Sequence, residues 1–260
     1  MSVIEQAADL LQRSKNVVFF TGAGISADSG IPTYREKLSG IWSGYDPRDL
    51  ETAKAFKENP ALIWGWYIWR RQRVAQAEPN AGHLAVSRMA SSHRQVSVIT
   101  QNVDDLHERA GSLNVVHLHG SLAIPECYAC HRLAPVPPDQ KELPNVGALI
   151  EPPRCQRCNG RMRPGVVWYG EDLPPKAWKT AMNLVKGCDL LISVGTSGIV
   201  MPAANIPDLA LGYGASVIHV NKTDVSMGEQ NEYMLIGAAA AILPKLLDSK
   251  APGTPREFEH

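Results

Sequence analysis

Apolar positions in this chain cluster first at Val17, Val18, Phe19 and Phe20, and that run empties into a loop carrying Gly22, Gly24, Gly30 and Pro32. A β-favouring apolar run closed by glycine reads as a buried strand. Similar runs stand at Val96 to Thr100, Val115 to Leu118, Leu190 to Val194 and Val217 to Val220. Elsewhere the apolar spacing is helical. Ile4, Ala7, Ala8 and Leu11 predict an amphipathic first helix, Asn59 and Pro60 form an N-cap and N1 pair for a helix through about Ala77, and Asn80 opens another. Short buried strands alternating with helices predict an α/β fold: a Rossmann-like parallel sheet with helices on both faces.

Two segments break the alternation, about 36–80 and 122–164, the second proline-rich and carrying most of the cysteines. They predict a small domain, helical in one part and zinc-binding in the other, set into a Rossmann-like domain of 1–35, 81–121 and 165–247. Residues 248–260 read as a polar, flexible tail. The cysteines form Cys127-x2-Cys130 and Cys155-x2-Cys158 with 24 residues between the pairs. Two such knuckles can bring four thiolates to one tetrahedral Zn²⁺, and with every ligand supplied by cysteine the ion is structural. A pair of disulfides or a redox C-x-x-C is the alternative. Cys188, before the apolar run LLISV, reads as a packing residue.

Charge and length narrow the function classes. Lysine plus arginine and aspartate plus glutamate number 26 each in 260 residues, so nothing in the net charge favours bulk binding to nucleic acid or membranes. No apolar run approaches a membrane span, and the first residues lack a basic region followed by an apolar one. The expectation is a cytoplasmic protein, acting as a monomer and without direct nucleic-acid binding.

Candidate chemistry gathers where strands end. Gly22, Gly24 and Ala27 satisfy the loose G-x-G-x-x-G/A pattern that lets a backbone approach a pyrophosphate, although Gly30 and Pro32 cut short the helix that should follow. Gln101, Asn102, Asp104 and Asp105 follow one strand, and His119-Gly120 follows another. Taken singly, these residues have structural readings too: Asp104 and Asp105 as helix caps, His117 as a satisfied strand residue.

Together the strings GAGISADSGIPTYR, TQNVDDLHERAG, VVHLHGS, RPGVVWYGEDLP, GTSGIVMP and HVNK, with the paired cysteines between them, resemble in order the motifs of the sirtuins, the NAD-dependent protein deacylases. The resemblance implies NAD as co-substrate and an acyl-lysine protein or peptide as partner. It implies that Gly22, Ala23, Gly24, Tyr34 and Arg35 line the pyrophosphate and nicotinamide side. Asn102 and Asp104 would hold ribose and carboxamide with Gln101 on the ribose hydroxyls and Val103 in the nicotinamide wall, while Gly195, Thr196, Ser197 and Asn221 would take the adenosine half. His119 would be the general base. In the family's reaction the acyl oxygen attacks the ribose C1′ as nicotinamide leaves, and the products are lysine, nicotinamide and 2′-O-acyl-ADP-ribose. Tyr34 and Val103 replace the commoner phenylalanine and isoleucine and keep an aromatic and an apolar wall. Val166, Val167, Trp168 and Tyr169, with Gly198 to Met201, would flank an extended acyl-peptide.

Tyr67 and Arg70 lie three apart on the helix that Asn59 opens, so they share a face. In an arbitrary helix Tyr67 would pack with Trp64, Trp66 and Trp69, and Arg70, Arg71 and Arg73 would be a solvated surface. The Y-x-x-R pair nevertheless resembles the sirtuin subclass that removes succinyl, malonyl and glutaryl groups, where it reads the acyl carboxylate. The competing expectations are a deacetylase without acidic-acyl preference, mono-ADP-ribosyl transfer, a silent NAD reader, and a zinc-ribbon nucleic-acid module.

Overall fold

The computed structural model describes residues 1–31, 40–137 and 144–249. Helix α1 (Val3–Arg13) is capped by Ser2 and Glu5 in a reciprocal capping box, and it buries Ala7, Ala8 and Leu11. Strand β1 (Asn16–Thr21) follows, then the short α2 (Ala23–Ser26), which passes through a 3₁₀ turn and stops at Gly30 with φ of 80°. The interruption expected at Gly30 is therefore real, because only glycine enters that left-handed conformation without cost.

Helices α3 (Pro47–Leu50), α4 (Ala53–Glu58), α5 (Pro60–Gln76) and α6 (Ala81–Arg88) come next. Asn59 and Asn80 are the N-caps of α5 and α6, their side chains accepting from the Leu62 and Gly82 amides. The chain continues through β2 (Gln95–Thr100), α7 (Leu106–Arg109) and β3 (Val115–His117), then the two-residue strands β4 (Glu126–Cys127) and β5 (Met162–Arg163). It closes with α8 (Pro175–Gly187), β6 (Leu190–Val194), α9 (Ile206–Gly212), β7 (Ser216–Asn221), β8 (Glu232–Ile236) and α10 (Ala239–Asp248). Strand β8 was not expected from sequence, since Glu232 and Tyr233 dilute its apolar signal. Of the expected tail, residues 250–260 lie outside the described residues.

The main sheet has six strands in the order β3-β2-β1-β6-β7-β8, all parallel. Both faces are covered, as the unbroken apolar runs require. Val17 and Phe19 of β1 pack with α1, α6 and α10 on one face, while Val18 and Phe20 pack with α8 and α9 on the other. The chain runs outward from β1 to β3 on one side and resumes at β6 on the other. The β1 and β6 loops therefore part company at a topological switch point, where open α/β sheets leave a ligand crevice.

A separate apolar cluster joins α3, α4 and α5 to the cysteine segment. Trp42, Phe56, Trp64, Trp66, Tyr67 and Trp69 share it with Cys127, Cys155, Met162, Val166 and Trp168. Trp66 stacks on Trp69 with ring centroids 5.2 Å apart, and Trp64 tilts against Tyr67 at 4.9 Å. Helix α5 is thus buried on all sides from Leu62 to Trp69, which is why it lacks the amphipathic pattern of a surface helix.

Because the start of α5 depends on one side-chain cap, Asn59→Ala should lower stability by about 1 kcal/mol, and Asn59→Asp should retain most of it. Urea denaturation of the three proteins checks this.

Candidate active site

The crevice is built by two glycines in backbone contact. Gly22 N–H donates to the Val194 carbonyl and Gly24 N–H to the Gly195 carbonyl, each at 3.0 Å. A Cβ on Gly24 would sit 2.6 Å from the Gly195 Cα, and Gly195 itself has φ of 60°. No side chain fits between the two loops. Asn221, at the end of β7, donates to the Thr196 carbonyl at 2.8 Å and so ties the Gly195 to Ser197 loop to the neighbouring strand. Tyr34 and Arg35 lie outside the described residues.

Beneath the glycine loop lies a buried polar network. Ser26 Oγ donates to Asp104 Oδ2 at 3.0 Å and accepts from Asn102 Nδ2 at 3.1 Å. Asp104 Oδ1 also accepts the Leu106 amide at 3.2 Å, so the capping reading of Asp104 holds alongside its place in the network. Asp105 occupies the N-cap position of α7 without a side-chain cap bond. Burial raises the Asp104 pKa.

Thr21 Oγ1 donates to Thr100 Oγ1 at 2.9 Å, leaving it to accept from His107 Nε2 at 3.0 Å. His83 packs edge-on against His107 with centroids 5.0 Å apart. Burial pushes His83 down to about 4 and His107 to about 3, so both stay neutral at physiological pH. Sequence reasoning missed Ser26, His83 and His107. A polar residue at helical or loop spacing gives no hint that it is buried.

His119 sits half-buried after β3, and its Nδ1 lies 3.0 Å from the Gln101 carbonyl. A carbonyl only accepts, so Nδ1 carries the proton and Nε2 is the basic nitrogen. Burial lowers the pKa, against the Gln101 bond and the nearby charge of Glu51. His117 differs. Its Nδ1 meets the Asn102 carbonyl at 3.0 Å and its Nε2 meets Glu108 at 2.7 Å, so both nitrogens are occupied. Burial opposes its protonation, but those partners raise its pKa overall.

The chain after β5 runs beside His119. Val167 N–H donates to the His119 carbonyl at 2.9 Å, and Tyr169 N–H to the Glu51 carbonyl at 2.9 Å. Strand-like alternation splits the four expected peptide residues. Val166 and Trp168 are buried in the aromatic cluster, whereas Tyr169 is 42% exposed. Ile199 and Met201 are exposed in the loop after β6.

Tyr67 and Arg70 do face one pocket, lined also by Glu51, Trp66, Leu122, Val166 and Trp168. The Tyr67 hydroxyl donates to the Leu122 carbonyl at 3.0 Å, and Arg70 forms an ion pair with Glu51. Arg71 is not a solvated surface residue, because it donates to the Leu122 carbonyl at 3.0 Å and to that of Ala123. Glu51 was not singled out from the sequence, where it stands as one acid in a mixed polar stretch.

The four cysteine sulfurs all lie within 4.8 Å of one another. Cys127 and Cys158 are 3.5 Å apart and Cys130 and Cys155 3.7 Å, far beyond a disulfide bond of about 2.05 Å. Thiolates about 2.3 Å from a tetrahedral Zn²⁺ stand roughly 3.8 Å apart, so the donor set fits zinc. Each knuckle closes through a left-handed residue, His131 or Asn159, whose amide bonds the first cysteine's carbonyl. A Cβ on Gly160 would crowd Cys127 Sγ at 3.1 Å.

A switch-point crevice floored by paired glycines, with a polar strand-end cluster and a four-thiolate module beside it, defines a Rossmann-type ligand-binding protein carrying a structural zinc site. Residues 22–202 match the model described as the Sir2 family, and the chain belongs to that family. It is 60% identical to a protein of Pseudomonas putida named NAD-dependent protein deacylase, over 98% of this chain and 100% of that one. It is 51% identical to NAD-dependent protein deacylase 1 of Pseudomonas aeruginosa, over 94% of this chain and 98% of the relative. A Sir2 homologue solved as an NAD complex superposes with a TM-score of 0.83 at 38% identity, covering 94% of this chain and 92% of that one. Another Sir2 protein, solved bound to a propionylated peptide, gives 0.79 at 28% identity, covering 95% and 98%.

Purified protein should contain about one zinc per chain by elemental analysis. Cys130→Ser should lose the metal and lower the melting temperature together, because three thiolates remain and two of the knuckle cysteines belong to the aromatic cluster.

Proposed function

We propose that the protein is an NAD-dependent protein-lysine deacylase that removes acetyl and acidic acyl groups, namely succinyl, malonyl and glutaryl, and acts in the cytoplasm. The observation that carries this reading is the position of His119. Its basic Nε2 is set by the Gln101 carbonyl, and its own carbonyl is bonded to the segment that would guide the acyl-peptide.

NAD, as co-substrate, supplies the ribose carbon that accepts the acyl oxygen. Gly22, Ala23 and Gly24 offer it a close-approaching backbone, and Gly195, Thr196, Ser197 and Asn221 receive its adenosine half. Gln101, Asn102, Val103 and Asp104 line the ribose and carboxamide side, with Asn102 and Asp104 locked through Ser26. Tyr34 and Arg35 complete the nicotinamide side in this proposal. His119 Nε2 takes the ribose hydroxyl proton, which a neutral imidazole can do at pH 7. Val167 and Tyr169 flank the peptide, while Val166 and Trp168 wall the acyl pocket.

The acidic-acyl part rests on Tyr67 and Arg70 lining one pocket. A guanidinium fork suits a carboxylate, and the Tyr67 hydroxyl would join it by turning its one proton away from the Leu122 carbonyl. The Arg70–Glu51 ion pair favours a second reading, deacylation without acidic preference, because the fork already holds a carboxylate.

His119→Ala should cut kcat by about 10² to 10⁴ while NAD binding survives, since proton transfer is lost and the loop backbone is not. In the parent, the acid limb of kcat/KM should lie below the ordinary histidine value of 6.5, because burial lowers the His119 pKa and keeps the imidazole unprotonated further into acid. A pH–rate profile measures it. Arg70→Met should lower the ratio of kcat/KM on succinyl- against acetyl-lysine peptide by about 10-fold or more, as loss of a charge-assisted contact predicts. Equal losses on the two peptides remove Arg70 from the acyl site.

A further inference from the structure

The pocket that would take the acyl group contains a carboxylate of its own. Glu51 closes the C-terminus of α3, and its backbone is fixed from two directions: its amide bonds the Pro47 carbonyl at 3.2 Å and its carbonyl receives the Tyr169 amide at 2.9 Å. Thr52, the next residue, bridges to Tyr169 as well. The side chain is therefore delivered into the pocket by a short, doubly anchored segment. There it pairs with Arg70, and Trp66 Nε1 lies 3.5 Å from the same oxygen. Relative exposure is 18% for the Arg70 side chain and 8% for that of Glu51, so water screens the pair only weakly. The Arg70 guanidinium also lies 5.7 Å from the Trp66 ring centroid, which holds it on the pocket side of α5.

We propose that Glu51 is a specificity-determining residue: it neutralises Arg70 inside the acyl pocket and shifts acyl preference away from acidic groups toward short uncharged ones. This inference rests on the reading of Tyr67 and Arg70 as acyl-pocket residues. An incoming succinyl carboxylate meets the same fork from a second direction, and it must either displace the buried Glu51 carboxylate from Arg70 or share Arg70 at close range to a like charge. Both options cost binding that a neutral acyl group does not lose. Discrimination of this type works through the repulsive element built against one ligand class. Because the fork is already paired, an amide in place of the succinyl carboxylate leaves no buried cation unmatched.

The test uses the full-length enzyme with three matched peptides carrying acetyl-lysine, succinyl-lysine and the isosteric succinamyl-lysine. The parent should turn over the neutral succinamyl peptide with kcat/KM at least equal to that on succinyl. Glu51→Gln should raise the succinyl-to-acetyl ratio of kcat/KM at least tenfold, mostly through KM, and most of that gain should vanish when Arg70→Met is added. Glu51→Ala serves as a second variant, and thermal melting of each protein checks that it is folded. A parent that prefers succinyl over succinamyl by tenfold overturns the inference without any variant. So does a ratio within twofold of the parent in both Glu51 variants while Arg70→Met still impairs succinyl selectively. If Arg70→Met also leaves the ratio unchanged, the assignment of Arg70 to the acyl pocket fails and the role of Glu51 fails with it.

Discussion

At the carboxyl end of the sheet the backbones of Gly24 and Gly195 touch, with the Gly24 amide bonded to the Gly195 carbonyl at 3.0 Å. Strands β1 and β6 are adjacent and parallel, so their following loops leave the sheet side by side and then diverge toward α2 and α9. A β-carbon on Gly24 or Gly22 would force them apart, since the nearest Gly195 atoms would lie 2.6 Å and 2.9 Å away. The width of the crevice, and the distance from one loop's backbone amides to the other's, follow from that contact. Everything polar in the site is placed relative to it.

The network beneath the glycine loop converts that backbone geometry into fixed side chains. Ser26 links Asn102 and Asp104, which arrive from the end of β2, to α2, which arrives from β1. Thr21 and Thr100 join the same two strands one layer lower, and His107 closes the layer. In surroundings this dry a hydrogen bond is strong, so Ser26, Asn102 and Asp104 hold one another in a single arrangement. His83 and His107 stay uncharged there, and a protonated ring would need a counter-charge the layer lacks at their partner threonine and serine.

The aromatic cluster couples the metal module to the pocket that Tyr67 and Arg70 line. Cys127 and Cys155 are buried in the same cluster as Tyr67, Trp66, Val166 and Trp168. Arg163 lies 3.6 Å over the Trp168 ring and forms two bonds to Glu171 at 2.6 and 2.8 Å, which steadies the segment beside His119. Zinc at the knuckles would therefore act at a distance, by holding β4 and β5 where Val166 and Trp168 can wall the pocket.

Features that depend on neighbours in the chain were determined by the sequence alone. The apolar runs became β1, β2, β3, β6 and β7, Asn59 and Asn80 became caps, Gly30 ended the first turn of helix, and each C-x2-C pair closed into a knuckle. Each is a local rule of backbone conformation, whereas the meeting of the two knuckles, through cysteines 25 and 31 residues apart, is tertiary. The tertiary structure decided what depends on distant segments meeting. The Arg70–Glu51 pair joins residues 19 apart and the Ser26–Asp104 bond residues 78 apart. Three-residue spacing on a helix does place Tyr67 and Arg70 on one face, but only the path of α3 brings a carboxylate to that face. Likewise an extended run from Val166 to Tyr169 was expected to flank the peptide as a whole, whereas the burial of Val166 and Trp168 alone was decided by the aromatic cluster packed against them.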